Sequence, residues 1–223
     1  MVHRHGCFLI VPFVLAALAA RASMVLPQNL ERLESAAELI FVGECTSRTA
    51  KIDERGLPVN EFTFRVIESV KGPLRVGRPV TFRQLGSDVP HANGAAFRLA
   101  GLPEYRVGQE MLIFLNPKSA WGLTSPVGLS QGCFAVGRDA KQERTIRLDP
   151  LRRKTLADGV DLSQYASNER FTAAEREFLT AMPEQVSVSL FGSVIRKIGQ
   201  EREQAENRSR ARSTDTPAAP NAR

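Results

Sequence analysis

NEFTFRVIESVKG, residues 60 to 72, is the stretch that decides the fold class. Apolar and polar side chains alternate along it, which predicts a β-strand with one buried face and one face in water. Phe62 and Phe64 are predicted to point inward. Thr63 and Arg65, which alternate with them, are predicted to point outward. Strands with one wet face belong to antiparallel sheets, so the stretch indicates an antiparallel β fold.

Further strand-like segments surround this stretch. They combine apolar, β-branched and aromatic residues between turn-forming glycines and prolines. EMLIFLNP (residues 110–117) is a nearly unbroken apolar run, which is typical of a strand buried on both faces. The other predicted strand segments are LIFVGECTSR (39–48), PVTFRQL (79–85), 121–129, 133–136 and ERTIRL (143–148).

Residues 86 to 105 separate two of these strands. They contain Gly, Pro, Asn and Ala without a clear period, which predicts a loop. The loop is longer than most connections inside a compact domain, and long loops are often functional. It is therefore a candidate functional loop.

Helical patterns lie at the two ends of the chain. PQNLERLESAA (27–37) predicts a short helix with Pro27 at its entry. Thr172 and Glu175 have the spacing of a capping box, which predicts a helix that starts at Thr172. A stripe at Leu190, Val194, Ile195 and Ile198 predicts a second C-terminal helix, and packing against the sheet is favoured over binding a partner. Residues 206–223 lack large apolar side chains and are predicted to be disordered.

The N-terminus is predicted to be a secretory signal peptide over residues 1–22. Arg4 precedes the uncharged run CFLIVPFVLAALAA, and Ala20-Arg21-Ala22 offers small residues at the cleavage site. The run falls short of the roughly 20 residues of a membrane span, although an uncleaved membrane anchor is the alternative. The protein is thus expected to be exported, periplasmic or extracellular, without a stable membrane span after cleavage.

Export implies an oxidising compartment, in which the two remaining cysteines, Cys45 and Cys133, are candidates for a disulfide. The alternative is two separate buried thiols, because cysteine often acts as a small core residue.

The formal charge of the chain is +6, and removal of Arg4 and Arg21 with the signal leaves a charge of +4. The excess lies in residues 138–154. Acids interrupt that segment and no aromatic residue lies in it, so a solvated loop or strand edge is favoured over a nucleic-acid site.

GLSQG, residues 128–132, fits the Gly-x-Ser-x-Gly pattern in which a hydrolase nucleophile sits between a strand and a helix. Ser130 would need a base, usually histidine, and His91 is the only histidine that follows the signal. It precedes Ser130, whereas the α/β-hydrolase order places the histidine after the serine. The glycines are therefore expected to allow a bend or bulge in a curved sheet.

Other reactive or ligand-binding patterns are weak. Cys133 lies in an apolar β segment, where a thiolate is disfavoured. A zinc site needs three or four Cys and His ligands, and the few such residues here have no close spacing. Gly-rich phosphate loops are missing from the sequence. We therefore expect no metal, no cofactor and no catalytic residue.

The segments PQNLERLESAAELIFVGECTS and EFTFRVIESVKGPL resemble the start of a netrin-like or TIMP-like domain, in which the second strand ends in a Lys-Gly-Pro turn. The resemblance is closer to uncharacterised exported bacterial proteins of that type, which carry stretches similar to YRVGQEMLIFL and VGLSQGCFAVG. It covers residues 27 to 137. It implies a mainly β fold: a five-stranded OB-like barrel with a short N-terminal helix and C-terminal helices.

The resemblance does not carry over an activity. TIMPs place an N-terminal cysteine over the zinc of a metalloproteinase, whereas the mature chain is expected to begin at Ser23-Met24. The predicted domains are the signal (1–22), the barrel (23–150), a helical appendix (151–205) and the tail (206–223).

The expected function is a non-catalytic binding or accessory protein with a protein partner and no nucleic acid. OB barrels bind ligands on strands two and three and in adjoining loops. The expected binding face, with solvated strand positions as its alternative, is formed by Thr63, Arg65, Thr81, Arg83 and His91. A secreted-protease inhibitor that acts by a mechanism different from TIMP is the first functional alternative, and a hydrolase of unrecognised type is the second.

Overall fold

The computed structural model describes residues 26–87, 89 and 96–214, with side chains up to residue 211. The predicted signal peptide, His91 and the last residues of the predicted tail lie outside the described residues. The described chain is mainly β with helices at both ends. Its strands are β1 (Leu39–Ile52), β2 (Pro58–Lys71), β3 (Pro79–Leu85), β4 (Glu110–Leu115), β5 (Cys133–Arg138), β6 (Arg144–Arg147) and β7 (Gln185–Ser187). Its helices are α1 (Leu30–Ala36), α2 (Pro150–Ala157), α3 (Leu162–Ser167), α4 (Ala173–Ala181) and α5 (Val188–Thr214).

The strands form one antiparallel sheet in the order β3-β2-β1-β4-β5-β6-β7. β1 and β2 form a long hairpin whose ladder ends at the pair Ile52 and Pro58. β3 and β7 lie at the two edges and do not pair with each other in the described chain, so the sheet is open. The prediction of a mainly β, antiparallel fold is confirmed. A five-stranded OB-like barrel is not confirmed, because β6 and β7 extend the sheet beyond β5.

β4 supports a core on each face of the sheet, as its unbroken apolar run predicts. Leu112 and Phe114 face a core shared with the helices, whereas Ile113 and Leu115 face a second core. The second core is rich in aromatic residues and is formed by Phe41, Cys45, Phe62, Phe64, Val66, Phe82, Tyr105, Met111, Ile113, Leu115 and Cys133. Phe62, Phe64 and Val66 are buried in it, as the alternation of β2 predicts.

One segment predicted to be a strand is irregular. Residues 121–129 make only isolated bridges, at Leu123 and Pro126. Proline cannot donate to a β-ladder, and Gly122 and Gly128 have positive φ angles, so the segment turns instead of extending. A short 3-10 helix, Leu129–Gly132, follows and leads into β5.

The C-terminal helices form a layer on the sheet. Leu156 of α2, Phe178 of α4 and Phe191 of α5 share one core with Ile40 and Phe114 of the sheet. The predicted capping box of α4 is present, since Thr172 and Glu175 exchange side-chain and backbone hydrogen bonds. The predicted appendix is thus integrated into the main core.

α5 is longer than its sequence pattern predicts. It continues to Thr214, inside the segment predicted to be disordered. The continuation is exposed and is stabilised locally, for example by the ion pair between Arg202 and Glu206, 2.7 Å apart and one turn away from each other. Good helix formers and such pairs favour a helix even where no core is buried.

Two buried carboxylates fix α5 to its neighbours. Glu34 of α1 lies 2.8 Å from Lys71 Nζ and 3.1 Å from Arg202 Nη2. Glu175 of α4 accepts hydrogen bonds from Lys197 Nζ at 2.5 Å and from Ser193 Oγ at 2.6 Å. Because buried charges are tolerated only when they are paired, these contacts define where α5 lies.

Two glycines let α5 approach closely. A Cβ at Gly199 would lie 2.5 Å from Glu34 Oε1, and a Cβ at Gly192 would lie 3.2 Å from Val70 Cγ2. The first distance is shorter than a carbon–oxygen contact, so a side chain at 199 would displace Glu34. The two glycines therefore seat the helix against α1 and β2.

Candidate functional site

The GLSQG segment forms a turn rather than a hydrolase elbow. Gly128 has a φ of 59°, and a Cβ on Gly132 would lie 2.7 Å from the carbonyl oxygen of Val127. Both glycines are thus required by backbone geometry, in agreement with the predicted bend. Ser130 is exposed and lines a cavity of about 370 Å³ together with Arg152. The segment leads from an irregular loop into an antiparallel strand, which differs from the strand-to-helix setting of such nucleophiles.

The predicted binding face is the outer surface of β2 and β3. Thr63 and Thr81 are paired across the two strands, with their hydroxyl oxygens 2.9 Å apart. Arg65 forms an ion pair with Glu44. Arg83 lies 3.4 Å from Glu54 and 3.8 Å from Glu61. The polar groups of this face therefore satisfy one another, and its role in binding stays a prediction.

The cysteines lie in the aromatic core as free thiols. Burial raises the pKa of Cys133 to about 12, and burial also raises the pKa of Cys45. The hydroxyl of Tyr105 lies 3.2 Å from Cys133 Sγ, and burial raises the pKa of Tyr105 well above its ordinary value. The predicted pairing of Cys45 with Cys133 stays a prediction.

Three of the seven basic residues in segment 138–154 form ion pairs with carboxylates. Glu110 accepts from Arg138 at 3.1 Å and from Arg144 at 2.6 Å, and Glu184 pairs with Arg147. The hydrogen bond from Arg144 is the main reason that the pKa of Glu110 is lowered. Arg152 differs from these arginines, since it donates to backbone carbonyls instead of carboxylates.

The turn between β1 and β2 begins a different surface. Asp53 Oδ1 accepts hydrogen bonds from the backbone N–H groups of Arg55 and Leu57, at 3.0 and 2.8 Å. This arrangement closes the hairpin tip, as aspartate commonly does in turns. Arg55 then donates from Nη1 to the carbonyl oxygen of Trp121, at 3.0 Å. The hairpin tip therefore lies against the loop that carries Trp121.

Two further contacts bring the end of β3 to the same place. The N–H of Thr124 donates to the carbonyl of Arg83 at 2.9 Å, which attaches the Trp121 loop to β3. The N–H of Ser87 donates to the carbonyl of Phe97 at 2.8 Å. Gly86 allows this approach, because its φ of 103° excludes most other residues.

Large apolar side chains are exposed at this end of the sheet. Trp121 is 57% exposed, Phe97 and Leu99 are each 43% exposed, and Ile52 is 38% exposed. Single exposed apolar residues are common, but several from separate segments at one end of the sheet make this end a candidate interaction site. We call Ile52, Arg55, Phe97, Leu99 and Trp121 the hairpin-end surface.

Buried oxygen atoms without partners lie at the same end of these strands. Asn60 and Gln84 are opposite each other in the ladder of β2 and β3. The side-chain oxygens of both residues, and Oδ2 of Asp53, are buried and accept no hydrogen bond in the described structure. Such groups are rare in native proteins and need an explanation, for example an ordered water or a bound group.

The sequence predicted only part of the hairpin-end surface: Phe97 and Leu99 lie in the candidate functional loop 86–105, whereas Ile52, Arg55 and Trp121 were not predicted as site residues. It favoured the charged and hydroxyl positions of β2 and β3, of which Arg83 alone contacts the hairpin tip, through Glu54. Trp121 was assigned to a strand. Its isolation in a segment with Gly122, Pro126 and Gly128 is the signal that indicates an exposed turn position.

The chain has no match among protein-family models, and no curated protein matches it. Within residues 26–87, 89 and 96–214, no helix is both long and apolar enough to cross a membrane. The same residues contain no group of three His, Cys, Asp or Glu side chains placed to hold a metal ion.

Proposed function

We propose that this chain is a non-catalytic binding module that docks another protein on its hairpin-end surface. The observation that carries the proposal is the convergence of four large exposed apolar side chains, from β1 and two loops, at one end of the sheet. Tryptophan and arginine dominate the energetics of protein interfaces, and both occur at this surface. The N-terminal signal pattern supports action outside the cytoplasm, in the periplasm or the medium.

The surroundings of this surface favour a protein as the partner. Arg83 is paired with Glu54, and Arg98 lies 3.9 Å from Glu104, so both arginines have a carboxylate neighbour. Nucleic acids and anionic membranes select clusters of unpaired cations. An apolar patch in a neutral, polar setting matches instead the core and rim of a protein interface. We infer a partner that presents an apolar side chain to Trp121.

The barrel resemblance remains part of this proposal. β1 to β5 lie side by side, and Leu123 makes a parallel bridge to Arg83 at the open edge of β3. The bridge supports partial closure of the sheet near the hairpin-end surface. OB-type barrels bind ligands through the loops at such positions.

Site-specific photo-crosslinking in the producing cell tests the docking surface. A benzophenone side chain replaces Trp121 or Phe97, and matched controls carry it at two exposed apolar positions elsewhere, Val76 and Leu151. We expect both hairpin-end positions to give the same single protein adduct, and the controls to lack it. Absence of an adduct at Trp121 and Phe97, or the same adducts at all four positions, contradicts the proposal.

Purified partner then allows a quantitative test. Trp121 is the only tryptophan of the chain, so its emission reports directly on this surface. We expect a blue shift on binding, because the indole leaves water. Trp121→Ala is expected to weaken binding by about 2 kcal/mol or more, as a central interface residue does. Val76→Ser, the control, is expected to leave the affinity unchanged.

A hydrolase assay separates binding from catalysis. Wild type and Ser130→Ala are compared on a broad set of ester and peptide substrates. We expect both to equal the buffer blank. Turnover by wild type that disappears in Ser130→Ala would replace the proposal with a hydrolase. Should the crosslinked partner be a protease, loss of its activity on binding identifies the protein as an inhibitor.

A further inference from the structure

A cavity lies beside the short ladder between β5 and β6. The ladder runs from Val136 opposite Ile146 to Arg138 opposite Arg144, so the first residues of β5 have no partner on β6. They pair with β4 along the other edge of the strand. The cavity has a volume of about 490 Å³, a size typical of small-molecule sites. We call it the β5–β6 cavity.

Arg152 reaches this cavity from α2. Its guanidinium lies over the ring of Phe134, 4.4 Å from the ring centre. It donates hydrogen bonds to the carbonyl oxygens of Gln131 and Cys133, and a longer one of 3.4 Å to Ser130. The guanidinium thus bonds to carbonyl oxygens at and just before the start of β5 that have no partner on β6. These hydrogen bonds hold the cation in one position.

The charge of Arg152 is not balanced by a carboxylate. No acidic side chain of the described chain forms an ion pair with it, and Asp149 acts on it only from a distance. Arg152 is half-buried, and burial is the main reason that the pKa of its guanidinium is lowered. An arginine has five N–H donors, and the three described hydrogen bonds leave two of them without an acceptor.

Other groups lining the cavity also suit a negative ligand. Arg147 lies at the cavity and is largely exposed, with Glu184 as its single partner. Thr145 is more than nine-tenths buried, and its hydroxyl oxygen accepts a hydrogen bond from Gln185 at 3.0 Å. Its own proton has no acceptor among the contacts of the described residues. Arg138 is paired with Glu110 and Arg147 with Glu184, so Arg152 is the arginine of this lining that forms no ion pair with a carboxylate of the described chain.

We infer that the β5–β6 cavity binds an anionic oxygen group, a carboxylate or a phosphate, between Arg152 and Arg147, with Thr145 as a further donor. Arginine and a buried hydroxyl are suitable donors for such oxygens. The inference is independent of protein docking at the hairpin end, because it concerns other residues.

Ligand titration of the purified protein tests this site. Phosphate, acetate and hexanoate are the probes, with sodium chloride at equal ionic strength as the reference. We expect a saturable rise in melting temperature with phosphate or with the carboxylates, and the arm that responds identifies the group. The ¹⁵Nε signal of Arg152, assigned with Arg152→Lys, is expected to shift along the same titration.

Substitutions of the proposed ligand-binding residues test their contribution to binding. Arg147→Gln and Thr145→Val are expected to weaken binding at least about tenfold. Arg65→Gln is the matched control, since Arg65 is also an exposed arginine with one carboxylate partner, on a different face. If Arg152→Lys does not fold, these variants still decide the matter. The inference is overturned if no probe acts beyond sodium chloride, or if Arg65→Gln weakens binding as much as Arg147→Gln.

Discussion

Buried polar groups have hydrogen-bond partners on the helix-covered face of the sheet, but several lack them at the hairpin end. On the helix side, Glu34 and Glu175 each contact a lysine or arginine and at least one further donor. At the hairpin end, the side-chain oxygens of Asn60 and Gln84 are buried without partners. The Nε atom of Arg153 is the exception on the helix side.

The difference separates a region that holds the fold from the region of the proposed docking surface. A buried carboxylate stabilises a protein only when its charge and hydrogen bonds are satisfied. An unpaired buried oxygen costs stability, so its presence beside exposed Trp121 and Phe97 indicates that the hairpin end is not optimised for stability alone.

The largest expected effect concerns the aromatic core between these regions. Cys45 and Cys133 are buried, so we expect them to react with a thiol reagent only through global unfolding. The free energy of the opening that exposes the thiols then equals the free energy of unfolding, typically about 5 to 15 kcal/mol. Labelling rates with and without denaturant measure it. Faster labelling would show that the hairpin end opens locally, and no thiols in the unreduced, unfolded chain would establish the predicted disulfide.

Removing a paired carboxylate is expected to have the next largest effect. Glu175→Ala leaves Lys197 and Ser193 without their partner and removes the capping box of α4. We expect the free energy of unfolding to fall by about 3 to 5 kcal/mol in a denaturant titration. Glu177→Ala, an exposed change on the same helix, is expected to cost under about 0.5 kcal/mol. A loss below about 1 kcal/mol for Glu175→Ala would contradict the comparison.

The same carboxylate predicts a pH dependence. Burial alone would raise the pKa of Glu175, but hydrogen bonds from Lys197, Ser193 and Thr172 outweigh it and lower the pKa from 4.5 to about 2. A depressed pKa stabilises the folded state above the unfolded value of 4.5, and the stabilisation disappears as pH falls through about 2. Wild type is expected to lose about 3 kcal/mol more than Glu175→Gln over this window. If the free energy of unfolding has the same pH dependence in wild type and in Glu175→Gln, this prediction is wrong.

A buried polar group without a full set of partners is expected to matter less. Gln84→Met removes an unpaired oxygen and one hydrogen bond, from Nε2 to the carbonyl of Pro103 at 3.1 Å. The two effects oppose each other, so the free energy of unfolding is expected to change by no more than about 1 kcal/mol. Thermal and denaturant unfolding measure the change. A loss as large as that of Glu175→Ala would mean that Gln84 has a strong partner in solution.

The smallest effect on stability is expected at the proposed interface. Trp121→Ala removes a side chain that is mostly exposed, so stability is expected to stay within about 0.5 kcal/mol of wild type. Denaturant unfolding followed by circular dichroism avoids the loss of the fluorophore. A drop of several kcal/mol would place Trp121 in the core and remove it from the docking surface.

Local patterns predicted the elements whose chemistry lies within a few residues. The capping box at Thr172 and Glu175, the alternation around Phe62 and the apolar run of β4 each depend on near neighbours, and the structure contains all three. α2 and α3 were predicted only as part of the helical appendix (151–205), without bounds of their own. Asp149 and Asp161 cap their N-termini, and Pro150 begins α2, but their polar sequences carry no clear apolar stripe.

Long-range contacts explain the rest of the difference. The partners of Glu34 are Lys71 and Arg202, which are far from it in the chain and give no signal at position 34. Tyr105 ends a loop with no periodicity, yet it is buried among the phenylalanines of β2 and β3. Trp121 becomes a candidate site residue only after the hairpin tip and β3 are seen to meet beside it.

Gly192 and Gly199 have a consequence for how sequence variation in this chain should be read. At both positions α5 packs so closely on its neighbours that a Cβ atom would lie within 3.2 Å of another residue. A methyl group at 199 would push the Glu34 carboxylate aside and disturb its contacts with Lys71 and Arg202. Alanine, the residue most favourable to an isolated helix, would therefore destabilise the protein at this position.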